Sequence, residues 1–304
     1  MNSVLIRNQA LKNSVLSNYT PLLRGMATEK QILGRINATK NISKITKSMK
    51  MVSAAKLRGD QERLMAARPF YKWTESLTGP PILLDDLDVN NLAPHTLIVP
   101  ITSDRGLCGG INSTITRGLK KLEIKMKAQG KDLTLLILGE KGRAQLSRAL
   151  GPSCDRSCTE IDIPYTFATS SALSSEILKT PGVDAVCIIY NSFRSAIAYD
   201  TTVKTIFNMA SAEEEPMVEY EFEPDTKSEV LQDMYEYTLA TQLYHSLMEN
   251  ATSEQSSRMN AMENASKNAG EMIDSLTLLY NRARQSRITT ELIEIISGAA
   301  ALEN

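Results

Sequence analysis

From Met259 to Leu302 the chain reads MNAMENASKNAGEMIDSLTLLYNRARQSRITTELIEIISGAAAL. It contains no proline, and Gly270 is its only glycine before Gly298. Met259, Met262, Ala265 or Ser266, Ala269, Met272 or Ile273, Leu276, Leu279 and Ala283 recur at steps of three and four, the spacing of one helix face. Reading backwards, no proline interrupts before Pro224. The spacing therefore predicts a single helix of about seventy residues, on the order of 105 Å long. A helix of that length needs a partner along it.

The opposite end of the chain offers one. Ala27 to Ala67 lacks proline and has only Gly34 and Gly59. Ile42, Ile45, Met49 and Val52 fall three, four and three apart, which predicts the seam of a coiled coil. Pro69 is expected to end this helix near Ala67, because it lacks an amide donor and disfavours helix at Arg68. Arg35 to Arg58 carries seven bases and no acid, whereas residues 226–304 carry eleven acids and six bases. Opposite charge favours pairing, and two helices at opposite ends of a compact middle suit an antiparallel arrangement. Small and polar residues (Thr39, Thr46, Ser53, and later Ser253, Ser256, Ser257, Ser266) interrupt both stripes. Such surfaces pass close to neighbours without fixing one geometry.

Between the helices the period changes. His95–Ile101 and Leu133–Leu138 read as buried strands, each followed by a helix, over Asn112–Gln129 and Arg143–Leu150. Ile161–Tyr165 reads as a third strand and Ser170–Lys179 as a third helix. Asp184–Phe193 and Ile197–Phe207 form a strand pair with a short turn. Alternating strands and helices predict an α/β middle domain with a mainly parallel sheet. An acidic connector follows, with eight acids against Lys227 alone between Ser211 and Glu229.

Composition agrees. Of 304 residues 42% are hydrophobic but only 5% aromatic, with 13 methionines, a mix that favours helices over β-sandwiches. No apolar run approaches the length of a transmembrane helix. Residues 1–26 hold Arg7, Lys12 and Arg24, no acid and many Ser and Asn, which reads as a mitochondrial presequence. Cys108, Cys154, Cys158 and Cys187 match no zinc or redox spacing and read as free thiols.

Ser103-Asp104-Arg105-Gly106-Leu107-Cys108-Gly109-Gly110 sits between a strand and a helix, where backbone amides can meet phosphate. Its spacing is neither a dinucleotide fingerprint nor a P-loop, so a structural turn, a nucleotide site and a partner contact all stay open. Asp104, Asp200 and Arg194 lack a nucleophile beside a base. His95 and His245 read as ordinary surface or core residues. The basic run of Arg35–Arg58 could attract nucleic acid, but it has no aromatic residue for base stacking. Leu292, Ile293, Ile295, Ile296 and Leu302 leave an apolar tip that favours burial in a socket of another protein.

Four landmarks carry a family resemblance: RINATKNISKITKSMKMVSAAKLR (Arg35–Arg58), ITSDRGLCGGINS (Ile101–Ser113), YNSFRSA with YDTTVKTI (Tyr190–Ile206), and the terminal stretch quoted above. Together they resemble the gamma subunits of F-type ATP synthases. The resemblance implies a Rossmann-like middle domain between two long terminal helices that form an antiparallel coiled coil. Its boundaries would be a presequence over 1–26, helix over 27–80, α/β foot over 91–210, acidic connector over 211–225 and helix over 226–304. It implies no catalytic role, no cofactor, no metal and no nucleotide site. The partners would be a ring of three alpha and three beta subunits, the delta and epsilon subunits and the membrane c-ring, with one copy per synthase on the matrix side of the inner membrane. By motif match, Lys47, Met49, Lys50, Arg284 and Gln285 would contact beta. Ile293, Ile296, Ala300 and Leu302 would sit in an apolar bearing. The regulatory cysteine insert of chloroplast relatives is missing after Phe193.

Overall fold

A computed structural model describes residues 29–208 and 227–302. The expected presequence and most of the acidic connector lie outside these residues. The elements are α1 (Glu29–Thr78), β1 (Ile82–Leu83), β2 (His95–Pro100), α2 (Ile111–Ala128), β3 (Asp132–Leu138), α3 (Glu140–Leu150), β4 (Cys154–Cys158), α4 (Phe167–Leu178), β5 (Ala185–Ser195), β6 (Ala198–Phe207) and α5 (Lys227–Leu302). The described residues fall into two compact units, one within Ser48–Glu263 and the other combining those up to Lys47 with those from Asn264 onward.

The larger unit is built on one sheet of order β1-β6-β5-β2-β3-β4. β2 is parallel to both β3 and β5, and β3 to β4, while β6 runs antiparallel to β5 and β1. The central strands are unbroken apolar runs because both sheet faces are covered. Leu133, Leu135 and Ile137 turn one way, onto the stripe Ile115, Leu119, Leu122 and Met126 of α2 and onto Leu146 of α3. Leu136 and Leu138 turn the other way with Leu97, Val99, Val186 and Ile188. There they meet Leu173 and Ile177 of α4, and Tyr235, Leu239, Leu243 and Leu247 of α5. Burying each such leucine contributes about 1.5–3 kcal/mol.

Three local expectations are corrected. α1 runs through Pro69 to Thr78 instead of ending near Ala67. The proline forfeits one backbone bond, but the turns beyond it are held by packing. Tyr71 stacks on His245 with centroids 3.5 Å apart, Phe70 meets Phe167 edge to face at 5.4 Å, and Gln242 Nε2 donates to the buried Thr74 Oγ1 at 2.8 Å. The third strand is Cys154–Cys158, not Ile161–Tyr165. Cys-Asp-Arg-Ser-Cys alternates half-buried and exposed positions as a sheet edge requires, whereas Pro164 has no ladder donor. Ile161 and Tyr165 still reach the core, without strand geometry.

The third correction concerns the helix seam. Ile42, Ile45 and Val52 are more than half exposed. Up to Leu64 the buried positions of α1 are Ile32, Ile36, Thr39 and Thr46 in the smaller unit and Ser53, Leu57, Asp60 and Leu64 in the larger, also a three-and-four repeat. Between Thr39 and Ser53 small polar residues are thus turned inward, and the β-branched Ile42, Ile45 and Val52 face outward. The stripe expected on α5 holds better: Met262 and Ala269 are buried, and Ala265, Ser266, Ile273, Leu276 and Ala283 are half-buried. Pairing is antiparallel within each unit. In the smaller one Glu29 meets Arg287 at 2.8 Å and Thr39 Oγ1 donates to Met272 Sδ at 3.9 Å; in the larger one Lys50 meets Glu263 at 2.8 Å.

Candidate functional site

The turn Ser103–Gly110 lies at the C-terminal end of β2, where open α/β sheets take ligands. Here the chain itself fills the place. Ser257 Oγ of α5 donates to the Cys108 carbonyl at 2.5 Å. Gly109 has φ +67°, and a Cβ on it would stand 2.9 Å from Ser257 Oγ and 3.7 Å from the Ala261 Cβ. Glycine is therefore required for close approach of the helix, rather than for a phosphate.

Backbone donors on both sides of the turn are engaged within the chain. Asn112 Oδ1 accepts the Ser103 N–H at 3.0 Å, and its Nδ2 donates to Ser103 Oγ at 2.7 Å. At the start of α3, Asp104 Oδ1 accepts the Glu140 N–H at 2.9 Å and Thr102 Oγ1 accepts the Gly142 N–H at 3.0 Å. Gly139, with φ +101°, brings that helix so near that a Cβ would lie 2.3 Å from the Thr102 carbonyl oxygen. Asp104 thus caps a helix instead of serving as an acid or base. Arg194 and Asp200 brace the β5–β6 hairpin at 2.6 Å.

Two ionic pairs lie nearby, each at 2.5 Å: Glu254 with Arg258, both buried, and the buried Asp60 with the exposed Arg63. Burial raises the Glu254 carboxyl, and the Arg258 guanidinium partly offsets this. Tyr165 nearby is pushed up by burial and by the charges of Glu254, Asp104 and Asp60. Nothing here pairs a nucleophile with a base.

A second polar cluster was not legible as such in the sequence. Glu249 Oε2 accepts from Ser192 Oγ and from the Phe193 N–H, both at 2.7 Å. His245 Nε2 stands 3.6 Å from Glu249 Oε1, while its Nδ1 is buried without a partner. Burial, with Arg68 and Lys204 nearby, brings the imidazole down to about 3, so it is neutral at physiological pH. Burial also raises Glu249, against its two hydrogen bonds. Lys204 Nζ donates to the Gly79 carbonyl just beyond α1, and burial lowers its ammonium to about 8. The available signal was His245 and Glu249 four residues apart on one helix, which reads as an ordinary helical pair until its partners are known.

The positions matched to a beta contact are distributed along the helices. Lys47 is exposed on α1 in the smaller unit; Met49 and Lys50 are half-buried in the larger, with Lys50 held by Glu263. Arg284 and Gln285 are exposed on α5, as is every residue from there to Leu302. Ile293 and Ile296 are 56% and 59% exposed and Leu302 is 90%, so the tip presents bare apolar surface. Ala300 is on the same exposed stretch. Within the basic run Arg35–Arg58, Lys50 pairs with Glu263 of α5 and Arg58 with Glu62 of its own helix. All four cysteines are free thiols, and no helix among the described residues is long and apolar enough to cross a membrane.

A family model described as ATP synthase matches residues 28–302. The chain is 42% identical to the ATP synthase F(1) complex subunit gamma, mitochondrial, of Rattus norvegicus, over 91% of this chain and 100% of that protein. It is 39% identical to the mitochondrial ATP synthase subunit gamma of Ipomoea batatas, over 97% and 92% respectively. Among solved structures it is similar to a chain in the central stalk and c-ring of Tetrahymena thermophila mitochondrial ATP synthase. That match has TM-score 0.61 and 32% identity, and covers 73% of this chain and 99% of the other.

Proposed function

The chain belongs to the gamma-subunit family of ATP synthases, and from that premise we propose that it is the central rotor shaft of a mitochondrial proton-translocating synthase. In this reading it has no catalytic residues and couples c-ring rotation to the chemistry of beta. Proton flow turns the c-ring and the α/β foot standing on it, beside delta and epsilon. The paired helices turn within a ring of three alpha and three beta subunits. One copy serves each complex, on the matrix side of the inner membrane, as the acid-free, basic residues 1–26 suggest.

The observation that carries the reading is the outward surface of the helices. Ile42, Ile45 and Val52 on α1, and Ile288, Leu292, Ile293, Ile296 and Leu302 on α5, are exposed apolar side chains on otherwise polar helices. Apolar stripes of that kind fit a greasy bearing around a turning part. The glycine turn filled by Ser257 supports a sheet that retains a nucleotide-binding architecture without the site.

Coupling requires unequal contacts. A shaft surface identical toward every beta conformation would shift no equilibrium, whereas one that favours different states at different angles drives them in turn. Arg284 and Gln285 would supply such a contact by hydrogen-bonding a beta loop, with Lys47, Met49 and Lys50 facing the base of beta and Ile293, Ile296, Ala300 and Leu302 seated in the bearing. The test is Arg284→Ala with Gln285→Ala in the assembled synthase. Steady-state ATP turnover is expected to fall at least about tenfold, the loss of roughly 1.4 kcal/mol of state-selective binding, with native mass spectrometry still showing one copy beside three alpha and three beta. Undiminished turnover in a complete complex would remove both residues from this role.

A further inference from the structure

β2 ends at Pro100, opposite Ile189, yet β5 continues to Ser195. On that side of β5 the Ile189 carbonyl takes the last main-chain bond, from the Ile101 N–H at 2.8 Å. Strand geometry turns the backbone groups of Asn191 and Phe193 to the same side, where no strand remains to meet them. Buried, unpaired backbone groups of that kind are costly.

α5 supplies the missing partners. Asn250 Oδ1 accepts the Asn191 N–H at 3.3 Å and its side-chain amide at 3.0 Å. Ser253 Oγ donates to the Asn191 carbonyl at 2.8 Å, and Glu249 accepts the Phe193 N–H at 2.7 Å. Asn191, Glu249, Asn250 and Ser253 are all buried. The same helix face then reaches the hairpin loop, where Ser256 Oγ and Asn260 Nδ2 both donate to the Ala196 carbonyl, at 2.8 and 2.9 Å.

Earlier in α5 the contact with the sheet is made by Tyr235, Leu239, Leu243 and Leu247. Apolar contact is non-directional and resists sliding or turning only through shape. Hydrogen bonds to main-chain atoms are directional, and these main-chain atoms are themselves fixed by the β5–β6 ladder. We propose that Glu249, Asn250 and Ser253 are positioning residues that stand in for the absent strand and so lock α5 in register and rotation on the sheet. Resting on the shaft reading above, this makes them the joint through which torque on the foot passes to α5 without slip.

The experiment uses the assembled synthase carrying Asn250→Ala with Ser253→Ala. Amide hydrogen exchange at Asn191 and Phe193 is expected to accelerate about tenfold or more. Protons pumped per ATP hydrolysed should fall by about half or more, while hydrolysis uncoupled from pumping changes less than about twofold. Unchanged exchange at both amides overturns the stand-in strand; faster exchange with unaltered coupling overturns the torque joint. Should the double variant not assemble, Glu249→Gln and Glu249→Ala decide the matter. Glutamine keeps an oxygen acceptor for the Phe193 N–H and is expected to preserve coupling that alanine loses; equal behaviour of the two overturns the proposal. A label on the foot that fails to turn during hydrolysis by the unaltered enzyme would defeat the shaft reading instead, and leaves the exchange result to stand by itself.

Discussion

The two units hold their helices by opposite means. In Ser48–Glu263, α5 is bound by leucines fully buried against a sheet and by side chains bonded to main-chain atoms. In the smaller unit, α1 and α5 meet through Ile32, Ile36, Thr39, Thr46, Ala269 and a few half-buried residues, while Ile42, Ile45, Ile288, Leu292, Ile293 and Ile296 are turned to water. The first arrangement specifies one geometry at high stability. The second leaves a pair of helices whose outer faces ask for company. A single 76-residue helix thus serves two purposes through a change in the residues on its inward face.

The sharpest way to break the contrast is Leu243→Ala, fully buried in the larger unit. It is expected to cost about 2–5 kcal/mol in denaturant unfolding of the chain, by lost transfer energy plus a cavity. An effect below about 1 kcal/mol would mean that the α5–sheet contact is as loose as the helix pair.

Acid should act on the larger unit next. The His245 imidazole falls from its ordinary 6.5 to about 3 on folding, so the unfolded chain binds the extra proton in between. Stability from this group is therefore complete above pH 6.5 and declines as pH falls toward 3. His245→Phe keeps a ring against Tyr71 but cannot titrate. Its unfolding free energy relative to the unaltered chain should improve on going from pH 7 to pH 4 by on the order of a few kcal/mol. Parallel pH profiles for the two would exclude His245 as the source.

The smallest effect is expected in the helix pair. Ile42→Ser with Ile45→Ser removes apolar groups that are already exposed, so unfolding free energy should change by less than about 0.5 kcal/mol per site. Co-purification with alpha and beta subunits should nevertheless weaken. A large stability loss would show that these residues pack within the chain after all.

How much of this could be read from the chain follows from the range of the interactions. The helices and central strands were legible because periodicity records which face is buried, as Leu133–Leu138 and the stripe over residues 259–283 do. The face of α1 was misread because Ile42, Ile45 and Val52 are more hydrophobic than Thr39, Thr46 and Ser53. Nothing local says which of the two stripes turns inward. Pro69 was misread for a similar reason: the packing of Phe70, Tyr71 and Thr74 that outweighs it comes from residues far away in sequence. The filling of the glycine turn was half visible, since the spacing already failed as a phosphate motif, but Ser257 as the filler required the fold.

Cys108 adds a practical consequence. Its thiol is buried, 3.4 Å from Ser103 Oγ and 3.3 Å from Asn112 Nδ2, beneath a turn whose carbonyl is tied to Ser257. Cys154 and Cys158, half-buried at the sheet edge, would react with an alkylating probe first. Slow modification of Cys108 would then keep time for the parting of this turn from α5, giving the molecule a native clock for the opening of that contact.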